Sequence, residues 1–294
     1  MQFFRKFSPY FALGTGILAL SLSSLFIRWA NAPGTVTSFF RMALAAIILT
    51  PICLSRKKEG IKPDWKIVIL PVLAGLFTAL DHAVWSTSIQ MTKVANATLM
   101  NNLAPVWVAL IALVFWREKL GGRFWAGLAL TMAGAGVVLG NDLIANPHLT
   151  AGDVLGIVSS LFYAGYFLVT QRGRKQFDTL TYIWAVAIIC AAFLLAINLA
   201  LGRALGGYPL STYLVFLAAA LVSQIVGYFS VTYALGHLPA AVVSPTMVAQ
   251  PVLTAVLAIP FLGEGLQPGQ WLGGLAVLAG IFLVNRSHKS ESQI

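Results

Sequence analysis

The chain repeats itself at a constant offset of 146 residues, and no other feature of the sequence constrains the fold as strongly. Residues 94–140 and 240–286 agree without a gap at 13 of 47 positions. The identical pairs include Pro105 with Pro251, Glu118 with Glu264, Trp125 with Trp271, Gly127 with Gly273, and Gly134 with Gly280. Internal repetition of this kind indicates duplication of a structural unit. We therefore predict two repeats, residues 1–146 and 147–294.

The residues available to build these repeats are those of a membrane protein. Apolar residues make up 59% of the chain and charged residues 10%, whereas soluble domains contain about 25% charged residues. Most of the apolar stretches have the ~20 residues that a helix needs to cross a bilayer. We predict an all-α membrane protein with ten transmembrane helices, five per repeat, near residues 10–27, 35–54, 65–88, 94–115, 124–139, 151–170, 180–200, 210–233, 238–262 and 270–284. Duplication of an odd number of spans inverts the second copy, as in many transporters.

The positive charge is distributed unevenly between the predicted loops. With the N-terminus in the cytoplasm, 15 lysines and arginines fall in cytoplasmic loops and tails, and only Arg28, Lys93 and Arg203 fall outside. This asymmetry follows the positive-inside rule and places both termini in the cytoplasm. The net charge of +10 then needs no nucleic-acid partner. We expect an integral protein of the bacterial cytoplasmic (inner) membrane whose environment is the lipid bilayer.

The repeated spans contain prolines that should kink them and glycines that should let them pack closely. Pro105 and Pro251 lie near the middle of the fourth and ninth spans and deprive a carbonyl four residues earlier of its donor. They are either kinks that flank a cavity or ordinary kinks packed against neighbouring helices. Each of the fifth and tenth spans carries two glycines seven residues apart, on one face, which suits close helix packing or a dimer contact. We expect a monomer or a weak homodimer.

Polar and aromatic side chains recur on single faces of several spans. A polar group that faces lipid is costly, so these faces should point inward, either as interhelical hydrogen bonds or as the lining of a cavity. For the set as a whole we predict a binding cavity for a small-molecule substrate. The candidate substrate-binding residues are His82, Trp85, Asn101, Asn102, Tyr163, Tyr166, Gln224, Tyr228, Ser244 and Gln250.

Two formally charged residues lie well inside predicted spans. Arg41 in the second span and Asp81 in the third are at similar depth on consecutive antiparallel helices, so they are natural partners in a charge pair. The alternative is that they bind substrate or a proton, with Asp81 and His82 as the relay. The sequence leaves both open.

An enzymatic function is not expected. The chain has no His-Glu-x-x-His, Gly-x-Ser-x-Gly or phosphate-binding glycine motif. We expect no cofactor and no metal, and we interpret Cys53 and Cys190 as apolar fillers rather than a disulfide. An intramembrane enzyme and a membrane scaffold or sensor are the weaker alternatives.

Four features occur together in this chain: ten spans, a five-plus-five duplication, a mid-span proline followed thirteen residues later by Glu and then by a Trp-x-Gly and Ala-Gly helix, and Arg41 early in the second span. In this combination the chain resembles the drug/metabolite transporter superfamily, EamA type. The general likeness extends to its aromatic amino-acid exporter (YddG-like) branch. The resemblance implies export of small metabolites, amino acids above all, by alternating access around a central cavity. Exporters of drugs or nucleotide-type metabolites are the alternative within this class.

Overall fold

The protein is described from a computed structural model that covers residues 8–56, 65–139, 148–262 and 267–291. Within these residues the regular structure is entirely helical, and ten helices are long and apolar enough to cross a membrane. The predicted all-α fold with ten membrane-spanning helices is thereby confirmed. The helices are Pro9–Ser21, Ser23–Ala30, Gly34–Leu54, Trp65–Met91, Val94–Asn101, Ala104–Trp116, Gly122–Leu139, Ala151–Gly173, Thr179–Ala200, Leu210–Ala219, the π-helical Ala220–Tyr228, Phe229–Leu235, Ala240–Met247, Ala249–Leu262 and Pro268–Glu291.

Four of the ten spans are not continuous α-helices. The first breaks at Leu22, the fourth between Asn101 and Ala104, and the ninth at Val248. The eighth contains the π-helical segment Ala220–Tyr228. The tenth helix, Pro268–Glu291, continues beyond the end predicted from hydropathy, because its last turns are polar. Three of these four spans, the fourth, eighth and ninth, carry six of the ten candidate substrate-binding residues.

By contacts the chain forms two compact units, residues 1–83 with 165–239 and residues 84–164 with 240–294. Each unit draws on both halves of the chain, so these units differ from the predicted sequence repeats. In the first unit the second span packs against the seventh, and the first span packs against the eighth. A buried core of small and apolar side chains, including Met42, Ala79, Cys190 and Leu194, fills the space around the second and seventh spans. Cys53 and Cys190 are both buried and unbridged.

One end of the first unit is fixed by polar contacts between loops. Arg56, after the second span, lies 3.6 Å from the carboxylate of Asp178, before the seventh. Asp178 also caps the seventh span by accepting from the backbone N–H groups of Leu180 and Thr181. These two loops therefore lie at the same end of the unit, as the charge pattern predicts for two cytoplasmic loops.

The second unit is held together by contact between the fifth and tenth spans. A Cβ atom built on Gly127 would lie 2.8 Å from the carbonyl oxygen of Gly280, and one built on Gly134 would lie 2.6 Å from that of Gly273. The two helices are thus antiparallel and their backbones touch. Of the two roles considered for the glycine faces, the structure shows packing within the chain.

Candidate functional site

The first unit encloses a cluster of polar and aromatic side chains around Arg41. An Nη2 atom of Arg41 lies 2.6 Å from Nε2 of His82, and the two residues are 5% and 8% exposed. Since a guanidinium only donates hydrogen bonds, Nε2 of His82 is the acceptor and the ring proton lies on Nδ1. Asp81, 6% exposed, precedes His82 in the same helix. Protonation of Nε2 would break this bond and place two cations side by side.

Two tyrosines extend this cluster towards the end that carries Asp178. The Cζ atom of Arg41 lies 5.8 Å from the ring centroid of Tyr228, within cation–π range. Tyr228 in turn meets Tyr166 edge to face at 5.7 Å, and the hydroxyl of Tyr166 shares a 3.2 Å hydrogen bond with that of Thr232. Arg174 donates through Nε to the backbone carbonyl of Thr232 at 3.2 Å. A connected row of side chains therefore runs from the middle of the unit to its end.

The π-helical segment carries Gln224 and Tyr228 and packs beside this cluster. The segment packs against both the first and the second spans. Ser23, just after the break in the first span, donates to Ser223 at 2.7 Å. Gln224 is 1% exposed, and its Oε1 atom has no hydrogen-bond partner in the described structure. π-helical turns inside α-helices are often found at functional sites, and nothing in the sequence pattern predicts this one.

The polar residues of the fourth span lie in the second unit. Asn101 donates through Nδ2 to the hydroxyl of Ser159 in the sixth span at 2.7 Å. Asn102 donates to the backbone carbonyl of Thr98 at 2.8 Å, within its own span. Trp107 donates to the hydroxyl of Ser160 at 2.8 Å, a bond that the sequence analysis missed. The structure thus joins the fourth and sixth spans by two side-chain hydrogen bonds.

The two repeated prolines follow helix breaks at equivalent positions. Helix Val94–Asn101 ends four residues before Pro105, and helix Ala240–Met247 ends four residues before Pro251. Those two helices coincide under the 146-residue offset. Pro105 occupies the first turn of the next helix, where a proline costs little because that N–H would lack an intrahelical partner anyway. The breaks leave backbone groups outside the helical pattern in the middle of two spans.

The four remaining candidate residues, Trp85, Tyr163, Ser244 and Gln250, all lie in the second unit. Ser244 is 1% exposed, and its hydroxyl has no hydrogen-bond partner in the described structure. Gln250, Tyr163 and Trp85 are partly buried. Trp85 follows His82 by one turn on a helix that crosses the boundary between the units.

Asp153, which was not among the predicted site residues, is completely buried at the start of the sixth span. Its two oxygens accept from the hydroxyl of Thr92, from the hydroxyl of Thr150 and from the backbone N–H of Thr150, at 2.7–2.8 Å. The Thr-x-x-Asp spacing of residues 150–153 was the available signal, because it is a variant of the helix capping box. These bonds give Asp153 a structural role in joining the third and sixth spans.

Glu264, the counterpart of Glu118 in the second repeat, lies outside the described residues. In the described parts of the chain, no three His, Cys, Asp or Glu side chains are placed to hold a metal ion.

Comparison with known proteins identifies this architecture. The model of the EamA-like transporter family matches the chain twice, over residues 7–140 and 150–286. An "Uncharacterized transporter" of Archaeoglobus fulgidus is 25% identical over 265 residues, which is 90% of this chain and 91% of the relative. A solved crystal structure has the same fold, with a TM-score of 0.79 at 17% identity, covering 94% of this chain and 95% of that one.

Two relatives have names that mention a solute. A "Riboflavin transporter" of Rhizobium johnstonii is 25% identical over 290 residues, covering 93% of this chain and 90% of the relative. A "Probable terminal-alkyne amino-acid exporter" of Streptantibioticus cattleyicolor is 25% identical over 193 residues, covering 65% and 64%.

Proposed function

We propose that this chain, which belongs to the EamA-like transporter family, exports amino acids across the bacterial cytoplasmic membrane, and aromatic amino acids above all. That the chain is an integral membrane transporter, not an enzyme, follows from its ten spans and its family. The observation that carries the choice of solute is the buried cluster of Arg41, His82, Tyr228 and Tyr166. A cation, an imidazole and two phenol rings suit a solute with a charged head and an aromatic body.

A second class of solute competes with amino acids. The relative named as a riboflavin transporter covers more of the chain than the amino-acid exporter does. The alternative is therefore export of drugs or of nucleotide-type metabolites, whose planar rings would stack on the same tyrosines. The two classes differ in the head group, because an amino acid carries both a carboxylate and an ammonium.

The proposed mechanism is alternating access around a central cavity, with residues 1–146 and 147–294 as inverted repeats. Contacts between the fifth and tenth spans support the inverted relation. Gly127 meets Gly280 and Val284, and the equivalent residue Gly273 meets Gly134 and Val138. Under the 146-residue offset these are the same contacts with the partners exchanged, which is what a two-fold axis produces.

Free energy for export would come from the solute gradient, or from protons if Asp81 titrates. The hydrogen bond from Arg41 to Nε2 of His82 favours a His82 that stays neutral, which leaves Asp81 as the proton acceptor in a coupled mechanism. The charge pair of Arg41 with Asp81 remains a prediction.

Flux of labelled phenylalanine and tryptophan into liposomes that hold the purified protein tests the proposal. We expect downhill uptake that unlabelled amino acids compete with and that riboflavin and cationic drugs do not. His82→Ala, Tyr163→Ala and Gln250→Ala should each lower flux more than they lower the yield of folded protein. His237→Ala, at an exposed histidine, is the matched control. Wild-type flux in all three variants would remove the cavity assignment, and flux of riboflavin alone would favour the alternative.

The orientation can be tested separately by cysteine labelling. Both native cysteines are buried, so single cysteines at positions 118 and 264 should report their own accessibility. The inverted repeat requires labelling of position 118 from the cytoplasm and of position 264 from outside. Labelling of both from one side would end the inverted-repeat model and leave the solute open. The predicted monomer or weak homodimer is checked by light scattering in detergent.

A further inference from the structure

Two buried polar atoms of the first unit have no hydrogen-bond partner among the described residues: the Nε atom of Arg41 and the Oε1 atom of Gln224. Most buried polar atoms in native proteins are paired, because an unpaired one keeps the cost of losing its water without compensation. One of these two atoms is a hydrogen-bond donor and the other an acceptor. The first unit therefore contains one buried donor and one buried acceptor that have no hydrogen-bond partner among the described residues.

The same unit pairs another buried amide completely. Asn198 is fully buried, and its Nδ2 donates to the backbone carbonyls of Thr35 and Leu194. Its Oδ1 accepts from the hydroxyl of Thr35 at 2.7 Å. Burial in this unit therefore does not by itself leave an amide unpaired.

Tyr228 lies near Arg41 and belongs to the same helical segment as Gln224. Its ring lies 5.8 Å from Cζ of Arg41, and it follows Gln224 by four residues in the π-helical segment. In a π-helical turn, as in an α-helical one, residues four apart lie on nearly the same face. The segment packs against the second span, which carries Arg41. His82 and Tyr228 hold the guanidinium in place, so its free N–H is oriented before a ligand arrives.

We propose that Arg41 and Gln224 bind the head group of the transported solute. The Nε–H of Arg41 donates to a carboxylate, and Oε1 of Gln224 accepts from an ammonium. The ligand is therefore an α-amino acid in its zwitterionic form. This inference rests on the proposed function and adds the residues that select the head group.

The test measures counterflow of labelled phenylalanine against unlabelled competitors that each lack half of the head group. Phenylalanine methyl ester keeps the ammonium, and 3-phenylpropionate keeps the carboxylate. With the wild-type protein, each should compete at least about tenfold more weakly than phenylalanine, the effect of one hydrogen bond to a charged group. The two competitors therefore report on Arg41 and Gln224 separately.

Each substitution should remove one preference and leave the other. Arg41→Lys keeps the positive charge but loses the Nε–H, so the preference for phenylalanine over its ester should fall by about tenfold. Gln224→Met keeps the shape but loses the acceptor, so the preference over 3-phenylpropionate should fall instead. Gln224→Glu retains an acceptor and should retain that preference. Asn198→Leu, the control, should lower thermal stability and leave both ratios unchanged.

The outcomes separate this inference from the function on which it rests. If the wild-type protein moves no phenylalanine, the proposed function fails first. If it does, and the folded Arg41→Lys and Gln224→Met proteins keep both wild-type ratios, the head-group assignment is overturned and the function stands. Should Arg41→Lys not fold, Gln224→Met against Gln224→Glu decides alone, since equal ratios in these two would also overturn the assignment.

Discussion

Replacement of Gly134 by alanine tests the backbone contact that holds the second unit together. The new Cβ would lie 2.6 Å from the carbonyl oxygen of Gly273 and 2.7 Å from the backbone nitrogen of Val277. Ordinary contact begins near 3.4 Å, so the two helices must separate by up to about 0.8 Å. The clash is with backbone on a rigid helix, so no side chain can rotate away to relieve it.

The control is Gly136→Ala, two residues along the same helix, where a Cβ meets nothing within 4 Å. Alanine gains up to about 1 kcal/mol of helix propensity at either position, so that contribution cancels in the comparison. Overpacking costs about 1–3 kcal/mol. We therefore expect Gly134→Ala to be less stable than Gly136→Ala by about 1–3 kcal/mol.

The assay is thermal unfolding of the two purified variants in one detergent. At about 2–4 °C per kcal/mol, Gly134→Ala should melt lower than Gly136→Ala by about 2–12 °C. The reciprocal variant Gly273→Ala should show a similar loss, because its Cβ would meet the carbonyl oxygen of Gly134 at 2.8 Å. Equal melting temperatures for Gly134→Ala and Gly136→Ala would refute the backbone contact.

Three further predictions concern charge and backbone. If Arg41 and Asp81 form a pair, the double substitution to alanine should be better tolerated than either single one, and folded yield that falls additively would count against pairing. Pro105→Ala and Pro251→Ala each restore a backbone N–H group to a broken span. Flux should then fall, while the free energy of unfolding stays equal or rises by less than about 1 kcal/mol. Undiminished flux would show that the breaks do not serve transport. Burial by itself raises the pKa of Asp178, but hydrogen bonds from the following residues and a nearby arginine outweigh it and hold the pKa below its ordinary value. The wild-type protein should therefore be stabilised relative to Asp178→Asn at pH 7 and lose that advantage as the pH falls below about 4, through the carboxyl's lowered pKa, in melting curves measured across pH; a constant difference would contradict the charge effect.

Hydrophobicity and periodicity predict the parts of this fold that depend on a single helix. A span must satisfy all of its backbone hydrogen bonds within itself, so a run of about 20 apolar residues specifies a helix whatever surrounds it. The glycine faces of the fifth and tenth spans were visible for the same reason, since residues seven apart share one side of a helix. Which helix they meet was left open, and the structure shows that each meets the other.

The candidate site was predictable as a set of residue types and not as a set of contacts. The sequence singled out Arg41, Asp81 and His82 and left open whether Arg41 pairs with Asp81. The structure shows a hydrogen bond from Arg41 to His82, the neighbour of Asp81 on the next face of the helix. Asp153 escaped notice because it begins a span, where a carboxylate is usually taken to be solvated, and yet it is completely buried.

The sequence by itself determined that this protein is a ten-span helical bundle with a duplicated plan, because transfer of apolar side chains and backbone amides into a bilayer depends on each segment alone. Only the tertiary structure decided that the eighth span contains a π-helical turn and that the compact units combine spans from both halves. It also decided that Gln224 and Arg41 each keep an atom without a hydrogen-bond partner among the described residues. Those features depend on rotation and register between helices. Many packings bury the same apolar area, and local residue spacing does not distinguish between them.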